Sequence, residues 1–213
     1  MTGCRSARSA TDTPDSVDAM SARPPLVERK QRQARERIVR AAEELFQEHG
    51  FDAVSVTDIA ERAEVGRTTF FRHFGDKQEV AFSREQELLD ALTHADLGDT
   101  APGTGAVREA LAQVQPVVLG LCARIATDSD SYVRHFTLIE RNPELQAREA
   151  VKAQQVAGLL SALLTRQGYE QAVATLSGHV AIACYQSARR LSDDPRTLVN
   201  DARQAFDRLL DEG

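Results

Sequence analysis

The chain has 213 residues, of which 42% are hydrophobic and 27% are charged, a composition typical of a folded globular protein. Its formal net charge is −6, which excludes a uniformly basic nucleic-acid binder but leaves room for a local basic surface. The three cysteines are widely spaced and form no CxxC pair, so the pattern favours reduced thiols rather than a disulfide framework.

No part of the sequence has the features of a membrane or export segment. No stretch reaches eighteen consecutive apolar residues, the length that a spanning helix needs. Arg5 and Arg8 near the start are not followed by an apolar core segment, so no secretory signal is expected. We therefore expect a cytoplasmic protein that has no membrane partner.

Residues 1–27 are predicted to form a disordered N-terminal arm. They consist mainly of Ser, Thr, Asp, Pro and Arg, and such a composition buries too little apolar surface to offset the entropy of ordering. A functional alternative is an arm that reaches along DNA through its arginines, although three aspartates cancel that charge.

A first helix is predicted from Glu28 to His49, with Gly50 ending it as a C-terminal glycine. Apolar residues at helical spacing form its inner stripe. Its first third, residues 29–37, is dense in lysine and arginine. These cations either form a solvated face or anchor the phosphates of a nucleic acid beside the groove.

Two short helices joined by a tight turn are predicted within residues 55–77. Ser55 is a candidate N-cap, because its hydroxyl can accept a bond from an unpaired amide of the first turn. Apolar residues at helical spacing follow it. In the turn, Val65 would point inward and Gly66 would relax the backbone.

The second of these helices is predicted over residues 67–74, with Phe70 and Phe74 facing inward. Asp76 is a candidate cap for a third helix. A short helix that shows basic and hydroxyl groups outward, at a steep angle to its neighbour, is how many proteins read the DNA major groove. The side chains left outward are Arg67, Thr68, Thr69, Arg72 and His73.

Residues 57–77 resemble the signature of the TetR-type transcriptional regulators. The matching segments are TDIA, AEVGR, TFFRHF and DK, which together fill most positions of the family pattern. Three residues depart from it, because Glu64 replaces the usual Gly, Gly66 the usual Ser and Phe71 the usual Tyr. The resemblance implies an all-α fold, in which a three-helix helix-turn-helix head joins a C-terminal helical bundle through a long helix, about nine helices in total.

The DNA contacts follow partly from the residues and partly from this resemblance. Arg67 and Thr68 begin the second helix and can reach base edges, where arginine suits guanine. The resemblance implies phosphate contacts for other positions. The predicted DNA-binding residues are Thr57, Arg67, Thr68, Thr69, Phe71, His73 and Lys77.

The sequence predicts a DNA-binding domain at 28–77 and a ligand-sensing and dimerisation domain at 78–213, and the negative charge of the chain is concentrated in the second. Residues 29–77 hold ten basic and nine acidic side chains, whereas 78–213 hold thirteen and nineteen. A helix predicted over 76–94 leaves the first domain and links it mechanically to the second.

Every segment after this link is predicted to be helical. Pro116 lies inside the first of these helices and should kink or split it, and Gly168 should end the third. The predicted helices cover residues 106–127, 131–141, 143–167, 170–191 and a last stretch opened by Pro195.

A ligand cavity is a candidate feature of the second domain. Ordinary packing of the same side chains, and a histidine that is simply satisfied in the core or at the surface, remain alternatives. The sequence shows no nucleophile–base pair, phosphate loop or metal-ligand spacing, so no enzyme activity, cofactor or metal is expected. The candidate ligand-binding residues are Cys122, Tyr132, Phe136, His179 and Tyr185.

The last two helices, at about 170–191 and 195–211, are expected to form a homodimer, since their apolar and small-residue surface exceeds what one layer should cover. The resemblance implies the same pairing. The sequence thus predicts a repressor that leaves a near-palindromic DNA operator when a hydrophobic or amphipathic effector binds. The alternatives are a regulator without an effector, controlled by a partner protein, and an architectural DNA binder.

Overall fold

The computed structural model describes residues 26–98, 102–103, 106–191 and 194–211, and all regular structure within these ranges is α-helical. The all-α prediction is therefore confirmed. The ten helices are α1 Leu26–His49, α2 Val56–Arg62, α3 Arg67–His73, α4 Lys77–Ala81, α5 Ser83–Thr93, α6 Val107–Ala126, α7 Ser129–Glu140, α8 Pro143–Arg166, α9 Gln171–Leu191 and α10 Leu198–Asp211.

Helix boundaries follow local signals in the sequence. The side chains of Ser55 and Asp76 accept bonds from backbone amides at the starts of α2 and α4, as predicted. Gly50 and Gly168, the predicted stops of α1 and α8, have φ angles of 80° and 98°. These angles lie in the left-handed region, which glycine enters without a steric penalty.

Two predicted boundaries were wrong. The helix expected over 76–94 breaks at Phe82, which separates α4 from α5 and is fully buried. Pro116 lies inside α6, which is continuous from Val107 to Ala126, so it does not split the helix, and a kink there remains a prediction. The last helix begins at Leu198 rather than at Pro195, because residues 195–197 form a turn in which the Thr197 amide donates to the Asp194 carbonyl.

Residues 26 and 27, which were predicted to belong to the N-terminal arm, lie in α1. The remainder of that segment, including Arg5, Arg8 and Arg23, lies outside the described residues.

The N-terminal head consists of α1 to α4. The inner stripe of α1 packs on α2, α3 and α4 around aromatic and aliphatic side chains that exclude water. Arg62 at the end of α2 donates to Glu48 of α1 at 2.9 Å, which fixes the two helices together at the surface. The hydrogen bond from Arg62 lowers the pKa of Glu48 below its ordinary value.

The body is built mainly from α6, α8, α9 and α10, with α5 and α7 packed on this group. Helices α8 and α9 approach each other closely at Gly178 of α9. A Cβ atom there would lie 2.6 Å from the carbonyl oxygen of Ala157 in α8, so only glycine permits this approach.

Among the described residues, no single helix has both the length and the apolarity to cross a bilayer; α6 and α7 meet that criterion only as a pair bent by 98°.

Candidate nucleic-acid interface and internal cavity

Helix α3 rests on two buried phenylalanines. Phe70 is fully buried and Phe74, at its C-terminal end, is 3% exposed. Their ring centroids lie 5.9 Å apart. This support holds the opposite face of the helix toward solvent, as the sequence predicted.

The solvent-facing side of α3 presents a compact group of side chains at its N-terminal half. Arg67 and Thr68 are exposed, Phe71 is 48% exposed and Thr69 is half-buried. Arg72 is also exposed on this side, although it was not among the predicted contacts. A guanidinium and a hydroxyl at the start of an exposed helix can both reach base edges in a major groove.

The turn before α3 has a different geometry from the predicted one. Gly66 has an ordinary extended φ of −73° and acts as the N-cap of α3 without any side-chain bond. The left-handed residue is Glu64, with a φ of 54°. Glu64 occupies the position where the TetR pattern has glycine, so the strain follows directly from that departure.

Thr57 lies in the first turn of α2 and is half-buried beside a complete capping box. The Ser55 amide donates to Asp58 at 2.8 Å, and the Asp58 amide donates to the Ser55 hydroxyl at 3.2 Å. The hydrogen bond from the Ser55 hydroxyl lowers the pKa of Asp58. These bonds fix the start of α2, and with it the position of Thr57.

His73 is less open to solvent than the sequence suggested. Its ring is half-buried, and the Nε2 atom is enclosed with no hydrogen-bond partner among the described residues. Burial, followed by the charges of Arg72 and Arg35, lowers the pKa of His73 below its ordinary value. A phosphate could therefore approach this ring only at its other edge.

Lys77 has a structural role that the sequence did not reveal. Its ammonium donates to the carbonyl oxygens of Phe51 at 2.9 Å and Val54 at 3.1 Å, and it lies 4.3 Å from the centroid of the Phe51 ring. The ammonium thus fastens the loop between α1 and α2 to the start of α4. A phosphate contact by Lys77 remains a prediction, to which this role is now added.

A cavity of about 770 Å³, partly open to solvent, lies between the head and the body. Its walls come from α1, α5, α6, α7, α8 and α9. A volume of this size lies in the range of small-molecule sites. The structure brings four of the five candidate ligand-binding residues to it, namely Cys122, Tyr132, Phe136 and Tyr185.

His179 does not line this cavity. It is exposed on α9, with Nδ1 2.8 Å from the Thr175 carbonyl and Nε2 3.1 Å from the Gln154 side-chain oxygen. Helical periodicity could not reveal this, because α9 has apolar or small residues around much of its circumference. The candidate ligand role of His179 therefore has no support from its position.

Sequence reasoning missed the cavity wall contributed by α1 and α8. Arg35 and Val39 of α1, one turn apart, face the cavity, as do Lys152 and Val156 of α8. The four-residue spacing of both pairs places each on one helix face and was the available signal. The packing of α1 against the body joins residues far apart in sequence, so neither the α1 nor the α8 sequence predicts it alone.

The Cys122 thiol, which lines the cavity, is expected to have low reactivity. Cys122 is fully buried, and burial raises its pKa to about 12. Because the thiolate is the reactive form, Cys122 is suited to packing against a ligand rather than to covalent chemistry. Burial also raises the pKa of Cys184.

Comparison with known proteins establishes the family. Residues 38–83 match the family model described as bacterial regulatory proteins, tetR family. The HTH-type transcriptional regulator TcmR of Streptomyces glaucescens is 32% identical over 167 residues, which cover 75% of this chain and 71% of TcmR. The chain belongs to the TetR family of transcriptional regulators. It is therefore a DNA-binding regulator, and α2 and α3 are its helix-turn-helix.

Solved structures of TetR-type regulators share the fold across head and body. The SmeT–triclosan complex superposes with a TM-score of 0.57 at 19% identity, covering 84% of this chain and 90% of SmeT. FadR of Thermus thermophilus, in complex with lauroyl-CoA, superposes with a TM-score of 0.51 at 27% identity, covering 84% of this chain and 94% of FadR. The arrangement of a helix-turn-helix head on a helical body is thus common to all three.

Proposed function

We propose that this TetR-family regulator is a homodimeric repressor, released from a near-palindromic operator when a small hydrophobic or amphipathic effector occupies the internal cavity. One observation carries the proposal. The cavity wall includes α1, which packs directly on α3, and the residue that follows the α4–α5 break. A ligand in the cavity would therefore contact the elements that position the DNA-reading helix.

For DNA contact, we propose that Arg67 and Thr68 read base edges, while Thr57, Thr69 and Phe71 approach the backbone around them. The exposed arginine at the first position of α3 is the best placed for guanine recognition. His73 and Lys77 have partly buried polar atoms. Their contribution would therefore be smaller or indirect, through the placement of α3 and α4.

The proposed coupling is a difference in effector affinity between two arrangements of the dimer. An effector can shift the equilibrium only by the ratio of its affinities for the DNA-competent and DNA-incompetent forms. The α4–α5 segment leads from the head into the body, as the sequence suggested. The α1 wall gives the effector a second and more direct route to α3.

For the dimer, we propose an interface formed by α9 and α10. Leu176 and Leu191 on α9 and Leu209 on α10 are 52%, 71% and 45% exposed. The two helices pack against each other, and large apolar side chains that are exposed on them favour burial against a second copy of the chain. A two-fold dimer would then present two α3 helices to two operator half-sites.

The rival proposal, a regulator without an effector, would suit a body packed without internal space. The cavity of about 770 Å³ favours the effector instead. The SmeT and FadR structures hold triclosan and lauroyl-CoA, and we propose for this chain a ligand with an apolar portion comparable to the triclosan rings or the lauroyl chain.

The proposal is tested by selecting bound fragments from a genomic DNA library and then screening small molecules for release of the best fragment. We expect one short, near-palindromic sequence to be enriched, and apolar or amphipathic compounds to release it. Enrichment without sequence preference would favour the architectural binder, and a screen in which only highly charged compounds act would contradict the effector class.

A further inference from the structure

Two cationic side chains that line the cavity contact adjacent residues at the α4–α5 break. Lys152 of α8 places its ammonium 5.5 Å from the centroid of the Phe82 ring. Arg35 of α1 donates from Nη2 to the carbonyl of Ser83 at 3.1 Å. Phe82 and Ser83 are adjacent residues at the α4–α5 break, so the two cations lie at the same end of the cavity, which both of them line.

Four carboxylates belong to the described part of the cavity wall, and three of them are engaged elsewhere or exposed. Glu149 pairs with Arg189 at 3.1 Å, where the two side chains are 23% and 11% exposed. Asp128 accepts from the Ser131 amide and caps α7. Glu36 is exposed, and Glu43 lies about two turns along α1 from Arg35.

Lys152 differs from these groups. Among the side chains that the structure describes, which exclude those of residues 84, 85, 87, 88 and 91 in α5, no carboxylate lies within 4.0 Å of its ammonium, and the side chain is half-buried. An anion brought to a partly buried ammonium gains a charge-assisted hydrogen bond. Lys152 is thus the strongest candidate in this cavity for pairing with a ligand.

Apolar side chains from three helices form a continuous part of the cavity wall. Val118, Ile125 and Ile182 line it from α6 and α9, and the rings of Tyr132 and Phe136 lie 4.5 Å apart between their centroids on α7. We propose that the cavity takes an amphipathic anion, whose apolar body packs on these side chains and whose acidic group lies between Lys152 and Arg35. This inference rests on the cavity being the effector site and adds the chemical class of the effector.

The position of the acidic group gives it a route to the DNA-reading helix. An anion beside Arg35 competes with the Ser83 carbonyl for the guanidinium. The same guanidinium lies 5.2 Å from the centroid of Phe74, the residue that ends α3. Binding therefore alters a side chain that contacts both the α4–α5 break and the base of α3.

The experiment uses two fluorescent probes that share one aromatic scaffold. The probe 1-anilinonaphthalene-8-sulfonate carries an anionic group, and N-phenyl-1-naphthylamine does not. Both are titrated into the full chain and three variants: Lys152→Met, Lys152→Arg, and Lys30→Met as a control for an exposed lysine on α1 outside the cavity. A fourth variant, Ala153→Phe, places bulk in the cavity wall.

We expect Lys152→Met to lower the affinity for the sulfonate probe about tenfold and to leave the affinity for the neutral probe unchanged, because only the charged hydrogen bond is lost. Lys152→Arg should restore the preference, and Lys30→Met should behave like the wild type. Ala153→Phe should lower the affinity for both probes, and this result would place both binding sites in the cavity.

Two results would contradict the inference and are distinguishable. In the first result, both probes bind, Ala153→Phe lowers the affinity for both, and Lys152→Met changes neither affinity. The assignment of the acidic group is then wrong, while the effector cavity stands. If neither probe binds, or Ala153→Phe has no effect on them, the proposed cavity function fails with it.

Discussion

Arg148 of α8 donates from Nη1 to the carboxylate of Asp76 at 2.9 Å, and Asp76 caps α4 with its other oxygen. One turn before Arg148, Glu144 accepts a hydrogen bond from Gln78 at 3.0 Å. One turn after it, Lys152 reaches Phe82. Three residues spaced by four thus place one face of α8 along the segment that follows α3.

Loss of the Arg148–Asp76 pair should loosen α4 more than it destabilises the protein. The two side chains are 35% and 42% exposed, so Arg148→Met should lower the free energy of unfolding by no more than about 1 kcal/mol. Because α4 has only five residues, it depends on such contacts for its order. Amide hydrogen exchange in residues 77–82 should accelerate several-fold.

Asp76→Asn is the matched partner for this test, because asparagine can still cap α4. The double variant should exchange no faster than the more affected single variant. Exchange rates that match the wild type in all three would show that the pair does not hold α4.

The left-handed backbone at Glu64 predicts a stabilising substitution. Glycine adopts a φ of 54° without the steric cost that other residues incur, so Glu64→Gly should raise the free energy of unfolding by up to about 1 kcal/mol. Glu61→Gly, three residues earlier and inside α2, should lower it by about the same amount. Urea unfolding of both variants measures this difference, and a destabilised Glu64→Gly protein would refute the strain assignment.

Lys77→Ala should have two separable effects. Loss of the bonds to the Phe51 and Val54 carbonyls should destabilise the fold by about 1–3 kcal/mol. A phosphate contact, if Lys77 makes one, should also reduce the salt dependence of DNA binding by about one unit of slope. Binding measured on fully folded protein at several salt concentrations distinguishes them, since a purely structural lysine would leave the slope unchanged.

His73 predicts a pH dependence of stability. Burial and the nearby arginines lower the folded-state pKa below 6.5, so the unfolded chain binds more protons in that region. The contribution of His73 is therefore fully present above pH 6.5 and decreases as the pH falls below it. Thermal unfolding between about pH 7 and 5 should show this decrease, and His73→Gln should flatten it. An equally steep decrease in His73→Gln would assign the effect to other groups.

Cys122 should resist alkylation in the folded protein. With a pKa raised to about 12 and no solvent exposure, almost none of its thiol is ionised near neutral pH. Mass spectrometry after iodoacetamide treatment should find Cys122 modified in urea but protected without it. Rapid modification of the native protein would instead indicate an open, reactive cavity.

The head was largely predictable because its signals are local. Ser55, Phe70 and Asp76 act through residues only three or four positions away, so their roles follow from helical spacing. The turn geometry was less predictable, since the sequence suggested strain relief at Gly66 whereas Glu64 carries the left-handed angle.

The cavity was predictable only in part because its walls meet over long distances in sequence. Four aromatic or sulfur-bearing residues were identified by type, but His179 was misplaced on a helix with little polarity contrast. Arg35 and Lys152 are 117 positions apart and meet only through Phe82 and Ser83. No periodicity within a single helix can reveal a contact of that kind.

The most direct test selects genomic fragments in parallel with the wild type, with Arg67→Ala, and with Arg134→Ala, an exposed arginine on α7, as the control. We expect the wild type and the control to enrich the same near-palindromic sequence, and Arg67→Ala to enrich a broader set in which specific positions are relaxed, each by about 1–3 kcal/mol. If Arg67→Ala selected the same sequence with the same affinity, α3 would not be the DNA-reading helix and the account would be wrong.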